Sequence, residues 1–260
     1  MIGLRTVSLA GVLAVAAGLP SAAQAIVNIE GIRSGGGKET GISGSLSLSV
    51  NGASGNTDKI AASTSGRVDW TREHSVTFLI ASLSYGEDKQ VRNTNKAFGH
   101  LRHVIERSER LGYEGFIQAE RNEFTRLSLR TLAGGGVRLT LHDNDLGKTH
   151  IGLGAFRSAE TLDESAGLTD SGTERLWRAN IYLAIHYALT KQLRIDSVSY
   201  YQPSTSDTSD YRLLELATLK FAITDQLALK MSLDIAHDSL PPQTIEKTDT
   251  SYMTGLEYSF

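Results

Sequence analysis

The sequence predicts an all-β fold, a single antiparallel transmembrane β-barrel of about twelve strands, between ten and fourteen. Three observations carry this. Long segments alternate apolar and polar residues, connections between them are short and long in turn, and the last segment ends the chain on an aromatic residue.

The first forty residues set the compartment. Arg5 precedes an apolar run from Val7 to Leu19, then Pro20 and a small-residue stretch ending Ala23-Gln24-Ala25. A positive residue, a short apolar core and a small-x-small site predict a cleaved secretory signal over 1–25. Residues 26–38 then read as a periplasmic N-terminal segment and 39–260 as the barrel. No later segment has 18 consecutive apolar residues, so no helical span is predicted. A composition of 40% hydrophobic residues looks like that of a soluble protein, but a barrel shows only alternate residues to lipid.

Alternation is clearest from Gly41 to Asn51. Ile42, Gly44, Leu46, Leu48 and Val50 fall on one face of a strand, and Ser43, Ser45, Ser47 and Ser49 on the other. Asn51–Asn56 reads as a loop. From Lys59 to Thr71, Ile60, Ala62, Val68 and Trp70 oppose Lys59, Ser63, Ser65, Arg67 and Asp69. An apolar face against a charged one suits lipid and lumen, with Trp70 at the aromatic girdle.

Further strands are expected near 75–85, 95–105, 111–120, 126–141, 149–156, 176–189, 192–201, 211–221, 226–236 and 250–260. In 126–141, Leu127, Leu129, Ala133, Val137, Leu139 and Leu141 are read as facing lipid. Arg126, Ser128, Arg130, Arg138 and Thr140 are read as facing inward. In 176–189, Trp177, Ala179, Ile181, Leu183, Ile185 and Tyr187 oppose Arg178, Asn180, Tyr182 and His186. In 226–236, Leu227, Leu229, Met231, Leu233 and Ile235 oppose Lys230, Ser232 and Asp234. The 75–85 segment carries apolar residues in both parities, and 95–105 is weak.

Connections near 71–75, 190–192 and 224–226 are short. Those near 156–176, 202–211 and 237–250 are longer, as periplasmic turns and extracellular loops are. An even strand number places both termini in the periplasm. Strands about twice the usual 5–6 residues, with arginines and carboxylates in mid-strand, argue for a closed barrel rather than a soluble sandwich. At the C-terminus Phe260, Tyr258, Leu256 and Tyr252 share a face, and Tyr258 with Phe260 reads as the signal shown to the barrel-assembly machinery.

Composition excludes several classes. The chain has no cysteine, so it has no disulfide, thiol nucleophile, cysteine–zinc site or lipid-modified N-terminal cysteine. A net charge of −3 gives no reason to expect a nucleic acid partner. Outer-membrane lipids and lipopolysaccharide are the expected surroundings, with small solutes or ions as partners of the interior. No cofactor is implied. The seven histidines show no metal-ligand spacing, and His100 and His103, three apart, point to opposite faces of a strand. Gly134-Gly135-Gly136 lacks the Lys-Ser/Thr and helix of a phosphate loop and is expected to mark a bend or close packing.

The expected lumen-lining residues are Arg67, Asp69, Glu114, Glu120, Arg126, Arg130, Arg138, Arg178, His186, Arg194, Lys230 and Asp234. They suit a polar channel or, in a narrow barrel, a structural ion-pair network filling the interior. An outer-membrane hydrolase is a second class: His186, His150, His100 and His103 could serve as a base, but no spacing pairs one with a hydroxyl, and no catalytic residue is assigned. A partner-binding barrel is a third, using an acidic loop 156–176 with Glu160, Asp163, Glu164, Asp170 and Glu174.

Several strand motifs resemble the YdiY-like, salt-induced outer-membrane proteins, domain-of-unknown-function family 481. They are Tyr113-Glu114-Gly115-Phe116, Asn122-Glu123-Phe124, Leu127 through Arg130, Ala133–Gly136, Ile151 through Phe156, Arg178 and the aromatic C-terminus. The resemblance covers nearly all of the chain after the signal and is densest over Tyr113–Phe156. It implies an outer-membrane barrel and no particular activity, ligand or catalytic residue.

Overall fold

The computed structural model describes residues 40–53, 58–164 and 168–260. The expected signal and the segment 26–38 lie outside the described residues. Twelve strands follow one another: β1 (Gly41–Ala53), β2 (Lys59–Arg72), β3 (Ser75–Asp88), β4 (Val91–Glu106), β5 (Leu111–Asn122), β6 (Leu127–Asn144), β7 (Gly147–Leu162), β8 (Gly172–Ala188), β9 (Leu193–Pro203), β10 (Tyr211–Ala222), β11 (Leu227–Asp238) and β12 (Thr248–Ser259). Each pairs antiparallel with its chain neighbour, and β12 returns to β1, so the sheet is a closed barrel. Closure leaves no strand as an open edge of the sheet, as lipid requires.

The period-2 pattern becomes the two faces of the wall. Ile42, Leu46, Leu48 and Val50 of β1, Val68 and Trp70 of β2, and Leu79 and Leu83 of β3 stand outside. So do Leu153, Trp177, Ile181, Leu183, Leu213 and Met231 further round. Ile42 keeps 74% of its surface exposed and Leu48 59%, which only an apolar solvent tolerates on this scale. Glu215 is an exception on this face; its carboxylate accepts hydrogen bonds from Ser197 (2.7 Å) and Ser199.

The ends of the barrel differ. At the end holding Gly41 and Ser259, two to four residues join β2 to β3, β4 to β5, β6 to β7, β8 to β9 and β10 to β11. The other end carries the connections 163–171, 204–210 and 239–247. One connection at that end is tight: Lys89 and Gln90, both at positive φ (50° and 63°), turn β3 directly into β4 in the geometry that suits a two-residue hairpin.

Three expectations change. The strand read as 149–156 runs on to Leu162, and the next begins at Gly172 rather than Leu176. Glu160 and Glu174 are therefore strand residues, and the acidic loop shrinks to 163–171. Arg126 is not on a strand: it sits at φ 59° closing the 3-10 turn Glu123–Thr125 between β5 and β6. A register shift between Leu127 and Leu129 follows, so Leu127 turns inward and is buried while Leu129 stays outside. The bulge puts an extra residue into β6, and parity counted through it inverts. β3 is resolved by register: Arg67 pairs Ile80, so Phe78 and Ile80 face in, and both are buried.

Candidate functional site in the barrel interior

The inward face is charged, and its charges are arranged. Near the end with the long connections, Glu120 (β5), Arg130 (β6), Glu160 (β7), Arg212 (β10) and Asp238 (β11) form one chain of alternating sign. Arg130 donates to Glu120 at 2.5 Å and to Glu160 at 2.9 Å. Arg212 donates to Glu160 at 2.5 Å and to Asp238 at 2.8 Å. Because β8 and β9 separate Glu160 from Arg212 in the wall, that contact is a chord across the interior. All five side chains are buried. Shared, charge-assisted bonds are what allow buried ions to persist.

Just beyond this chord the connections are tied together. Arg126 donates to Asp170 at 2.8 Å, to the Gln243 carbonyl at 3.2 Å and to the Asp163 carbonyl at 3.2 Å. Asp170 also accepts from the Gln243 backbone N–H at 2.7 Å. That N–H, with Arg126, holds the Asp170 carboxyl below the usual carboxylate range. Three separate connections thus meet on one guanidinium and one carboxylate. A cavity of about 20 Å³ lies beneath, lined by Thr125, Leu127, Arg130, Leu162, Pro241 and Pro242 among others. On the neighbouring rim Arg178 forks onto Asp210 at 2.8 and 2.9 Å.

Towards the opposite end a second set gathers. Arg102 (β4) donates to Glu114 (β5) at 3.1 Å, and Tyr182 (β8) donates its hydroxyl to the same carboxylate at 2.9 Å. The Tyr182 ring lies across Gly152, where any Cβ would meet the ring within 2 Å; only glycine on β7 lets this ring reach the interior. Arg67 forks onto Asp69 at 2.5 and 2.6 Å beneath a cation–π contact with Phe78 at 3.9 Å. His186 Nδ1 meets Asp196 at 2.8 Å. Between the two sets, Phe116, Leu132, Phe156, Val198, Tyr200, Leu214 and Leu216 pack as an apolar cluster.

The rest of the wall is lined mostly by small groups, with Met253 of β12 among them accepting a hydrogen bond from Ser63 at 2.9 Å. Register aligns Ser47, Ser65 and Ser82 side by side on β1, β2 and β3, and Ser49, Ser63 and Ser84 in the next row. Ser232 and Ser251 continue this lining on β11 and β12. Charges border the strip: Lys220 donates to Glu257 at 2.7 Å, Lys230 lies 3.6 Å from the same carboxylate, Ser84 pairs Lys96, and Asp234 pairs Ser251.

Of the residues expected to line the lumen, Arg67, Asp69, Glu114, Glu120, Arg130, Arg138, Arg178 and Lys230 are buried on inward strand faces, and His186, Arg194 and Asp234 are partly buried there. Arg126 works from the rim. Sequence reading missed Arg102 and Lys96, which lie in the weakly patterned β4. It missed Glu160, placed in a loop, and Asp210, which is in a connection. Arg212, Asp238 and Glu257 hold the inward parity of well-patterned strands and could have been found by it.

A profile of the family described as "Protein of unknown function, DUF481" matches residues 46–260. The chain belongs to this family. The DUF481 match runs from β1 through β12 to the terminal Phe260, so the strand motifs that suggested family 481 are part of one continuous domain. A search of curated proteins finds no match. Among solved structures, this DUF481 barrel is similar to the NanC porin, at 10% identity over 84% of this chain and 100% of that one, with a TM-score of 0.51. The translocator domain of autotransporter NalP from Neisseria meningitidis shares 12% identity over 84% and 87% of the two chains, TM-score 0.49. The KdgM porin in complex with disordered oligogalacturonate shares 11% over 84% and 99%, TM-score 0.45. The NanC likeness is one of fold: a closed antiparallel β-barrel.

Proposed function

We propose that this protein is an outer-membrane barrel offering a narrow passive path to small ions or solutes along its serine-lined wall, without enzymatic activity. The observation that carries the reading is the pair of serine rows, Ser47–Ser65–Ser82 and Ser49–Ser63–Ser84, facing inward side by side. Short hydroxyl side chains leave room and offer hydrogen bonds, while the opposite wall is crowded by arginines, carboxylates and rings. Lys96, Lys220, Lys230, Asp234 and Glu257 border the strip, and their balance sets its ion preference. The apolar outer face, its exposed tryptophans and tyrosines, the aromatic C-terminus and the porin-like fold all support the outer membrane as its place. In this reading outer-membrane lipids and lipopolysaccharide surround it, and the assembly machinery reads Tyr258 and Phe260.

The test is conductance of the purified, folded protein in planar bilayers, with liposome swelling in a panel of ions and sugars. Stepwise conductance is expected, reduced several-fold by Ser65→Trp. A structural barrel is the second reading, favoured by the Glu160–Arg212 chord across the interior. Silence of the folded protein towards every solute in the panel decides for it.

A further inference from the structure

The seam that closes the barrel has the shortest ladder among the described residues. β1 pairs β2 from Gly41 to Ala53, its whole length. Against β12 its described ladder covers only Ser45↔Ser259 to Leu48↔Leu256, extended at the terminal end by Gly44 and Phe260. Beyond Leu48 the contact passes to a side chain, Ser49 Oγ donating to the Thr254 carbonyl at 3.0 Å. So β1 and β12 are laddered in the half of the wall nearer the short turns and not in the half nearer the long connections. A ladder interrupted inside the apolar belt is costly, because lipid cannot replace the missing partners.

A cavity marks the place where the ladder stops. It is small, about 10 Å³, and its lining comes from both sides of the wall. Ser47, Ser49, Ser63, Ser65, Lys230, Ser232 and Met253 are inward residues, while Leu48 and Leu256 are lipid-facing ones. Gly255 stands at this level too, so close to β1 that a Cβ there would lie 2.8 Å from the Leu48 carbonyl oxygen and 3.2 Å from Ser49 Cβ. With no side chain at 255 and no ladder above it, only side chains tie β12 to its neighbours here: Ser49 to Thr254 and, from β2, Ser63 Oγ donating to the Met253 thioether at 2.9 Å.

We propose that the β1–β12 seam is a lateral portal, opening towards the leaflet on the long-connection side and admitting a single-chain amphiphile with an anionic head. The chemistry of the lining selects the occupant. Leucines on the lipid side accept a hydrocarbon chain. Serine hydroxyls and the Lys230 ammonium on the inner side accept a carboxylate or similar head. Entry parts the strands above Leu48 and Leu256, and the ladder from Ser45 to Leu48 acts as the hinge that keeps the barrel closed.

The absence of native cysteine makes the test direct. Ser49→Cys with Gly255→Cys places two thiols across the portal, at a Cβ separation a few tenths of an ångström short of the usual disulfide range of about 3.5–4.5 Å. The protein is reconstituted in phosphatidylethanolamine–phosphatidylglycerol vesicles with nitroxide-labelled stearic acid as probe. The reduced protein is expected to immobilise the label. Oxidation should cut the immobilised fraction at least five-fold, and dithiothreitol should restore it. Equal immobilisation in both redox states, or none in either, overturns the portal. A second measurement needs no variant: in the wild type, backbone amides of Val50–Gly52 and Tyr252–Thr254 should exchange at least ten-fold faster than those of Leu46–Leu48 and Leu256–Tyr258. Equal protection also overturns it. Neither readout depends on axial conductance, so the portal and the serine path fail separately.

Discussion

Gly44 and Phe260 exchange backbone hydrogen bonds, N–H to carbonyl, at 3.0 Å in both directions, and the Phe260 ring fills the space a side chain at 44 would need. A Cβ on residue 44 would stand 2.6 Å from that ring and 2.8 Å from the Arg67 carbonyl oxygen. The last residue of the chain is thus a structural clasp on the first strand, whatever else reads it during assembly. Gly44→Leu is expected to destabilise the folded barrel by about 1–3 kcal/mol through overpacking. The fraction that keeps its folded mobility on an unheated gel should fall, and an unchanged fraction at every temperature would count against the clasp.

Glu160 joins Arg130 to Arg212. Removing it leaves two buried guanidiniums short of a partner, so Glu160→Ala should cost about 3–5 kcal/mol, the scale for breaking a buried ion pair. Replacing the whole chain of charges by apolar residues of similar volume should cost far less. Urea unfolding in vesicles, followed by Trp70 and Trp177 fluorescence, measures both. A Glu160→Ala variant as stable as wild type would mean that the chord does not form.

The tie between the outer connections depends on pH. The folded-state pKa of Asp170 is depressed, by the Gln243 N–H and Arg126. Its contribution is therefore complete above the unfolded carboxylate value, about 4, and is lost as pH falls through the lower folded value. Asp170 is partly exposed at the rim, so solvent screening keeps the effect local to the connections. A bimane label on Lys247→Cys, the only thiol, should gain mobility below about pH 4 and not at pH 7. Asp170→Asn should show the mobile state at both. A wild-type label insensitive to pH 3 would remove Asp170 from the tie.

Leu183 stands on the lipid face of β8, and Tyr182 beside it points inward. Leu183→Arg is expected to cost about 2–4 kcal/mol in a bilayer, the range for a mid-depth cation on a barrel exterior. If urea unfolding of this variant in vesicles matches wild type, the assignment of the two faces is reversed or the apolar belt lies elsewhere.

Much of the barrel is legible in the amino-acid order alone, since β1, β2, β8 and β11 have one unambiguous parity each. Strands are read from alternation, and alternation survives in lipid because one face must be apolar and the other need not be. Reading falters where that rule is relaxed. β3 puts Phe78 and Ile80 inside among apolar neighbours, so both its faces look alike. β6 shifts register after Leu127, so counting by twos from Arg126 gives the wrong face for the first residues. β7 and β8 extend past the point where polar residues appear on both faces.

Sequence by itself determined the class of this molecule: a closed wall of long strands, oily outside and charged inside, in a family recognisable from its strand motifs. Only the tertiary structure decided which charges meet. Glu160 and Arg212 are 52 residues apart in the chain with two strands between them in the wall, and no local pattern pairs them. The serine rows of β1, β2 and β3, and the seam that stops at Leu48, are likewise facts of register. Parity is a local property of each strand, whereas register is set only when neighbouring strands hydrogen-bond and the ring closes.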